Sequence, residues 1–255
     1  MSHFIKHNHT PFPDTLLREA EGLESLRAGL RQAGVREIRL PQIYAADHDR
    51  LTLTRIDAAP ASEATLVMLG EGLAGLHAIP QDQYGGSNDN YIGLSPQPNT
   101  LSSSWGDFFV EHRLGYQVGR IKNSALRGEF QKTLDACGDR LAQWLDRHCE
   151  HPSLLHGDLW SGNVLFDRHQ PWLIDPAVYR GDREADLAMT EMFGGFGQAF
   201  YDAYDRRNSR TEVYPLKRSV YNLYHYLNHY NLFGGGYLGG CEQGIGAIEA
   251  LVGRP

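Results

Sequence analysis

The sequence predicts an α+β fold in two lobes, a small mixed lobe followed by a larger and mainly helical one. Three observations carry that expectation. Extended and helical patterns alternate over the first 80 residues. Residues 81–104 then lose all periodicity and are rich in Gly, Ser, Asn, Pro and Gln. Beyond them, two long apolar stripes of helical period enclose three short extended pieces. The expected division is a first lobe over 1–80, an inter-lobe linker over 81–104 and a second lobe over 105–255.

The elements follow in order. His3 to Asn8 is short and β-prone and reads as a strand. Pro11 and Pro13 punctuate it, and Asp14 stands where a helix N-cap belongs. From Thr15 to Ala33 the apolar residues Leu16, Ala20, Leu23, Leu26, Leu30 and Ala33 recur in steps of three and four, one buried helical stripe, and Gly34 ends it. Leu51 to Ile56 reads as a strand and Leu66 to His77 as a second amphipathic helix. The 81–104 stretch is too long for an ordinary loop, so it is expected to be ordered by Tyr91, Ile92 and Trp105. Phe130, Leu134, Cys137, Leu141, Trp144 and Leu145 form one later stripe, and Leu216, Val220, Leu223, Leu227 and Tyr230 another. Between them lie extended pieces at Leu154-Leu155, Val164–Phe166 and Trp172–Ile174.

Composition excludes several classes. A hydrophobic fraction of 41% and a charged fraction of 22% are those of a soluble globular protein. A net charge of −7 argues against a general nucleic-acid binder, which needs a basic face. No apolar run approaches the roughly 20 residues that span a bilayer, and the N-terminus has no apolar stretch of signal-peptide length. Cys137, Cys149 and Cys241 are odd in number and lack Cys-x-x-Cys spacing, as expected of reduced thiols in a cytoplasmic protein.

The chemistry is concentrated in Leu155-His156-Gly157-Asp158-Leu159-Trp160-Ser161-Gly162-Asn163 and in Ile174-Asp175-Pro176. Each stretch sits where an apolar run meets a polar turn. Asp158 and Asn163 have the Asp-x-x-x-x-Asn spacing of a kinase catalytic loop, and Asp175 follows after a hairpin-length interval. Phosphoryl transfer needs these residue types. A carboxylate, Asp158, accepts the proton of the attacking hydroxyl. A charged oxygen from Asp175 and a neutral one from Asn163 suit Mg²⁺, a hard cation that neutralises the phosphates of ATP. Either residue alone would read as a turn cap. The joint pattern does not.

The stretch from Leu155 to Asn163 resembles the signature of the fructosamine (ketosamine) kinases, within the aminoglycoside-phosphotransferase branch of the protein-kinase-like fold. Asp89–Gly93 with Pro96–Asn99, Asp175–Tyr179 with Arg183–Ala188, and Leu227–Gly234 resemble further segments of that family, so the likeness runs from about Phe4 to about Tyr237. The resemblance implies ATP-dependent phosphorylation of a sugar hydroxyl on ketosamines, free or carried by glycated protein lysines, a deglycation repair. Two other readings stay open: a kinase for another small alcohol such as an aminoglycoside or choline, and a catalytically silent protein that binds sugar amines.

The resemblance also implies a strand lysine on the ATP phosphates, which falls on Lys6, held by a helix glutamate. At about 100° per residue, Glu19 lies within the arc of Leu16, Leu23, Leu26 and Leu30, whereas Glu21 lies about 160° away. A carboxylate on an apolar stripe needs a partner. Glu19 is therefore expected to pair with Lys6, and Glu21 to be a surface residue. The family places two strands and a phosphate-covering loop ahead of this lysine; only five residues precede Lys6 here, so the nucleotide lobe is expected to be incomplete. On the acceptor side Trp160 is placed either to stack on the sugar or its amine or to pack in the core. His225 and His229, at i and i+4, either offer one imidazole to the acceptor pocket or are both core residues, with no third residue evident to complete a zinc site.

Overall fold

The computed structural model describes residues 3–253. It opens with β1 (His3–His7), followed by α1 (Thr15–Gln32), β2 (Ile43–Ala46) and β3 (Arg50–Thr54). The three strands form an antiparallel sheet in the order β1-β3-β2, with Lys6 opposite Leu51 and Phe4 opposite Leu53. Leu51 and Leu53 are buried. α1 turns the expected stripe of Leu16, Leu23, Leu26 and Leu30 into the core. β2 is an addition to the sequence expectation. Asp14 does occupy the N-cap position of α1, but its side chain makes no capping bond. Its two oxygens instead accept from Arg18 Nε at 3.1 Å and from the Tyr91 hydroxyl at 2.5 Å, so the residue ties the helix start to the linker.

α2 (Glu63–His77) begins with a reciprocal cap between Ser62 and Thr65. It packs most extensively against α7 (Gln198–Arg207), and by packing it goes with the later helices rather than with the sheet. The crossing is close because Gly70 faces the Phe200 carbonyl, and a Cβ there would lie 2.3 Å from that oxygen.

The 81–104 segment is ordered rather than loose. It carries a hairpin of β4 (Asn90–Ile92) and β5 (Ser95–Gln97), each too short to show a period-2 pattern. Arg113, fully buried with its guanidinium 4.1 Å from the Tyr179 ring centroid, donates to Pro98 O at 2.6 Å and Asn99 Oδ1 at 2.7 Å and so fastens the segment's end.

The remainder is helical with short paired strands. α3 (Trp105–Phe109) runs through a π-turn (Val110–Gly115) into α4 (Tyr116–Gly119), and α5 (Ser124–His148) follows. β6 (Ser153–Leu155) pairs with β9 (Tyr179–Gly181), and β7 (Val164–Phe166) with β8 (Pro171–Leu173). α6 (Glu184–Met192), α7, α8 (Tyr214–Phe233) and α9 (Leu238–Val252) complete the chain. The Leu227–Gly234 segment is therefore followed by a further helix. One core gathers α3, α5, α8 and α9 around Trp105 and Tyr221; a second joins α1 and α2 to β7, β8 and α7. No helix among the described residues is long and apolar enough to cross a membrane.

Candidate active site

The loop after β6 is built for close approach. Gly157 has φ +83°, and a Cβ there would lie 2.0 Å from the carbonyl of Ala177, so only glycine fits. The preceding His156 is fully buried. Its Nε2 lies 2.9 Å from Ile174 O and its Nδ1 3.3 Å from the Asp158 N–H, which fixes a neutral ring donating through Nε2 and accepting at Nδ1. Burial holds its pKa below the usual imidazole range. Asn163 ends a 3₁₀ turn (Ser161–Asn163) and donates its Nδ2 to both Asp158 O at 2.8 Å and Asp158 Oδ2 at 2.9 Å. That bond leaves the amide oxygen of Asn163 free of Asp158. Burial, followed by the charges of Asp175 and Asp186, pushes the Asp158 carboxyl up to about 7 against the Asn163 hydrogen bond.

The second loop is stitched to the first. Ile174 N donates to Asn163 O at 3.1 Å, and Ala177 N to His156 O at 2.9 Å. Between these two bonds Asp175 takes a left-handed backbone, φ +50°, with its side chain 46% exposed. The hairpin braces the same loop from the other side. Gln97 Nε2 donates to Ala177 O at 3.0 Å and Asn90 Nδ2 to Val178 O at 2.8 Å.

Lys6 reaches across from the sheet. Its Nζ lies 2.6 Å from Glu19 Oε2 and 3.0 Å from Asp175 Oδ1. Burial opposes its charge, but the two carboxylates outweigh it and raise the lysine pKa. Glu19 is 8% exposed, and its Oε1 has no hydrogen-bond partner. Burial raises its carboxyl, with Lys6 opposing and Asp175 reinforcing. Glu21 is exposed and pairs with Arg18 at 2.8 Å. The structure thus brings Lys6, Glu19, Asp175, Asn163 and Asp158 into one continuous array. Lys6, Glu19 and Asp175 also line a cleft of about 240 Å³ with Tyr91 and Leu94.

On the far side of Asp158, the Trp160 indole lies over Gly162 and meets Phe193 edge-on at 5.5 Å. Phe193 is 5.4 Å from the His229 ring. The two histidines of α8 part company. His229 is half-buried beside Trp160's neighbour, and its Nδ1 is 2.8 Å from His225 O. His225 is 4% exposed, its Nδ1 has no partner, and burial pushes its pKa down to about 3.

Several supporting residues escape a sequence reading. Asp186 on α6 accepts His156 N–H at 2.7 Å, Gly157 N–H at 2.9 Å and lies 3.3 Å from His77 Nε2. Burial would raise its pKa, yet these hydrogen bonds hold it below the ordinary carboxylate value. Asn90 and Gln97 act likewise on the Asp175 loop. The one signal that all three carried was their place in the family-like segments Asp89–Gly93, Pro96–Asn99 and Arg183–Ala188, which named no role for them.

An oxygen-rich pair, the Asp175 carboxylate and the free amide oxygen of Asn163, fits a hard divalent cation held jointly with phosphate oxygens. Comparison with known proteins is consistent over nearly the whole chain. The family model described as fructosamine kinase matches residues 1–250. A probable ketoamine kinase of Synechocystis is 40% identical over 247 residues, 94% of this chain and 81% of the relative. The chloroplastic protein-ribulosamine 3-kinase of Arabidopsis thaliana is 36% identical over 244 residues, 92% of this chain and 72% of the relative. A crystal structure from Thermobifida fusca, provisionally named a fructosamine-3-kinase, superposes with a TM-score of 0.81 at 30% identity, covering 97% of this chain and 85% of that one. An ADP-bound aminoglycoside phosphotransferase superposes with a TM-score of 0.61 at 14% identity, a likeness of fold alone.

Proposed function

The chain belongs to the fructosamine kinase family, and from that premise we propose that it moves the γ-phosphate of ATP to a sugar hydroxyl of a ketosamine, as a repair of glycated amines, with Asp158 as the base. Lys6, kept in place by Glu19, holds the phosphates. Asn163 and Asp175 hold Mg²⁺, which when bound neutralises charge on the β- and γ-phosphates. Asp158 orients the acceptor hydroxyl and takes its proton as the bond to phosphorus forms. Its raised pKa suits a group that must accept a proton near neutrality. Trp160 and His229 line the acceptor side; His225 shapes it from within α8. The acceptors are free amines or protein lysines that carry a ketosugar.

The observation that most supports this reading is continuity. A single run of bonds leads from Asp158 to Asn163, across Asn163 O to the Asp175 loop, and on to Lys6. That run supports assigning Asp158 as proton acceptor, Asn163 and Asp175 as cation ligands and Lys6 as phosphate partner within one site.

The test is Asp158→Asn. Ketosamine-dependent ATP turnover should fall by a factor of about 10² to 10⁴ with nucleotide affinity kept. A variant that retains full turnover removes Asp158 from the role. Screening ATP consumption over ketosamines, aminoglycosides and choline fixes the acceptor class, and turnover on choline or aminoglycosides alone would overturn the ketosamine reading.

A further inference from the structure

Five rings run outward from the base in unbroken contact. Trp160 meets Phe193 at 5.5 Å, Phe193 meets His229 at 5.4 Å, and His229 meets Phe233 at 5.6 Å and Tyr237 at 4.9 Å. They come from four separate pieces of chain: the catalytic loop, the end of α6, the last turns of α8 and the turn before α9. His229 and Phe233 are one turn apart on α8 and Tyr237 follows them, but local sequence does not explain why Trp160 and Phe193 join that group. Nor does stability, because rings gathered only for packing would be buried, and burying one Phe is worth about 1.5–3 kcal/mol. Phe193 is instead 38% exposed and Phe233 65% exposed. After Phe193 the chain has positive φ at Gly194, Gly195 and Gly197, and Phe196 between them is buried in the core, so the exposed ring sits at the head of a glycine-rich turn anchored by Phe196.

We propose that Trp160, Phe193, His229, Phe233 and Tyr237 form an aromatic cage that selects acceptors carrying a protonated amine, and so sets the enzyme's preference for ketosamines over neutral sugars. This deepens the functional reading above and rests on it. The geometry suits the chemistry. In a ketosamine the amine is joined to the sugar through a single carbon and is a cation at neutral pH. A sugar whose hydroxyl lies at Asp158 therefore carries its cation only a few bonds further out, where Trp160 and Phe193 begin the wall. Ring faces attract an ammonium through their quadrupole. Burial lowers the pKa of the imidazole in the middle of the wall, which disfavours a second cation beside the ligand. Beyond the amine, Phe233 and Tyr237 offer apolar surface to the methylenes of a lysine chain.

The experiment compares two acceptors that differ at one atom: a fructosamine built on butylamine, and its ether isostere with oxygen in place of the amine nitrogen. ATP turnover is measured for the wild type, Phe193→Leu, Phe233→Leu and Phe193→Tyr, with a thermal melt of each to verify folding. The wild type should show a KM for the amine at least about fivefold below that for the ether, as one cation–π contact provides. Phe193→Leu should erase most of that ratio, Phe233→Leu part of it, and Phe193→Tyr should keep it. Equal KM values for both acceptors in the wild type overturn the cage, as does a ratio that survives Phe193→Leu and Phe233→Leu. Equal losses on both acceptors also overturn it, since they describe a merely apolar wall. A folded wild type that turns over no ketosamine at all overturns the ketosamine reading itself, and the cage with it.

Discussion

At the residue scale the chain's chemistry depends on burial more than on charge pairing. Asp158 is a carboxyl pushed up to about 7 chiefly because it is buried, with Asp175 and Asp186 adding repulsion. A base works only when deprotonated, so activity is lost as the pH falls through its pKa. The profile of kcat/KM for the acceptor should therefore show an acid limb of unit slope with its midpoint at or below about 7, because a cation on Asp175 removes one of the charges that raises it. A midpoint well above about 7 would exclude Asp158 as the base. The candidate site residues stood out in the sequence because they lie close together in a pattern with few alternatives. Asp158, Asn163 and Asp175 lie within two short polar turns. Those that hold them, Asp186, Asn90 and Gln97, act through side-chain bonds to backbone groups up to 88 positions away, and no spacing rule reports such bonds.

At the element scale the long helices were legible and the short or glycine-rich ones were not. α1, α5 and α8 show apolar steps of three and four over 18, 25 and 20 residues, enough turns for the period to stand out. α9, which opens Leu-Gly-Gly-Cys-Glu-Gln-Gly-Ile-Gly, carries four glycines in its first nine residues, and tertiary packing of Cys241, Ile245 and Ile248 helps to form it. The β4–β5 hairpin escaped for a different reason, since strands of three residues are anchored by neighbours and not by alternation. Helix contact also makes a measurable demand. Gly70→Ala puts a methyl 2.3 Å from the Phe200 carbonyl and forces α2 from α7. It should cost more than about 2 kcal/mol in urea unfolding. Gly246→Ala, exposed in α9 with open space around its Cβ, should instead stabilise by about 0.5–1 kcal/mol. Equal effects would mean that propensity and not the helix crossing governs.

At the scale of the whole molecule, Lys6 is the one side chain of the sheet that the structure shows bonded both to α1 and to the Asp175 loop. Its two ion pairs link the strands to the catalytic floor. On the proposed reading, replacing it by Met removes the cation that would face the phosphates, and it leaves Glu19, already buried with one unpartnered oxygen, without its counter-charge. Lys6→Met should weaken ATP binding by about tenfold or more, given ~1.5–3 kcal/mol for a charged hydrogen bond, as read by calorimetric titration. Unchanged affinity would put the phosphates elsewhere. The allegiance of α2 to the later helices was not visible in the sequence, because its partner α7 lies more than a hundred residues further on.

The left-handed backbone at position 175 has a consequence for how this protein can vary. Two demands fall on that one residue, and they are independent. Its main chain is comfortable for glycine and asparagine and tolerable for aspartate, but strained for glutamate, alanine or anything branched. Its proposed role at a cation asks for a negative oxygen, which glycine and asparagine lack. Aspartate alone meets both demands, so no single exchange is neutral there, and random drift has no intermediate step by which to leave.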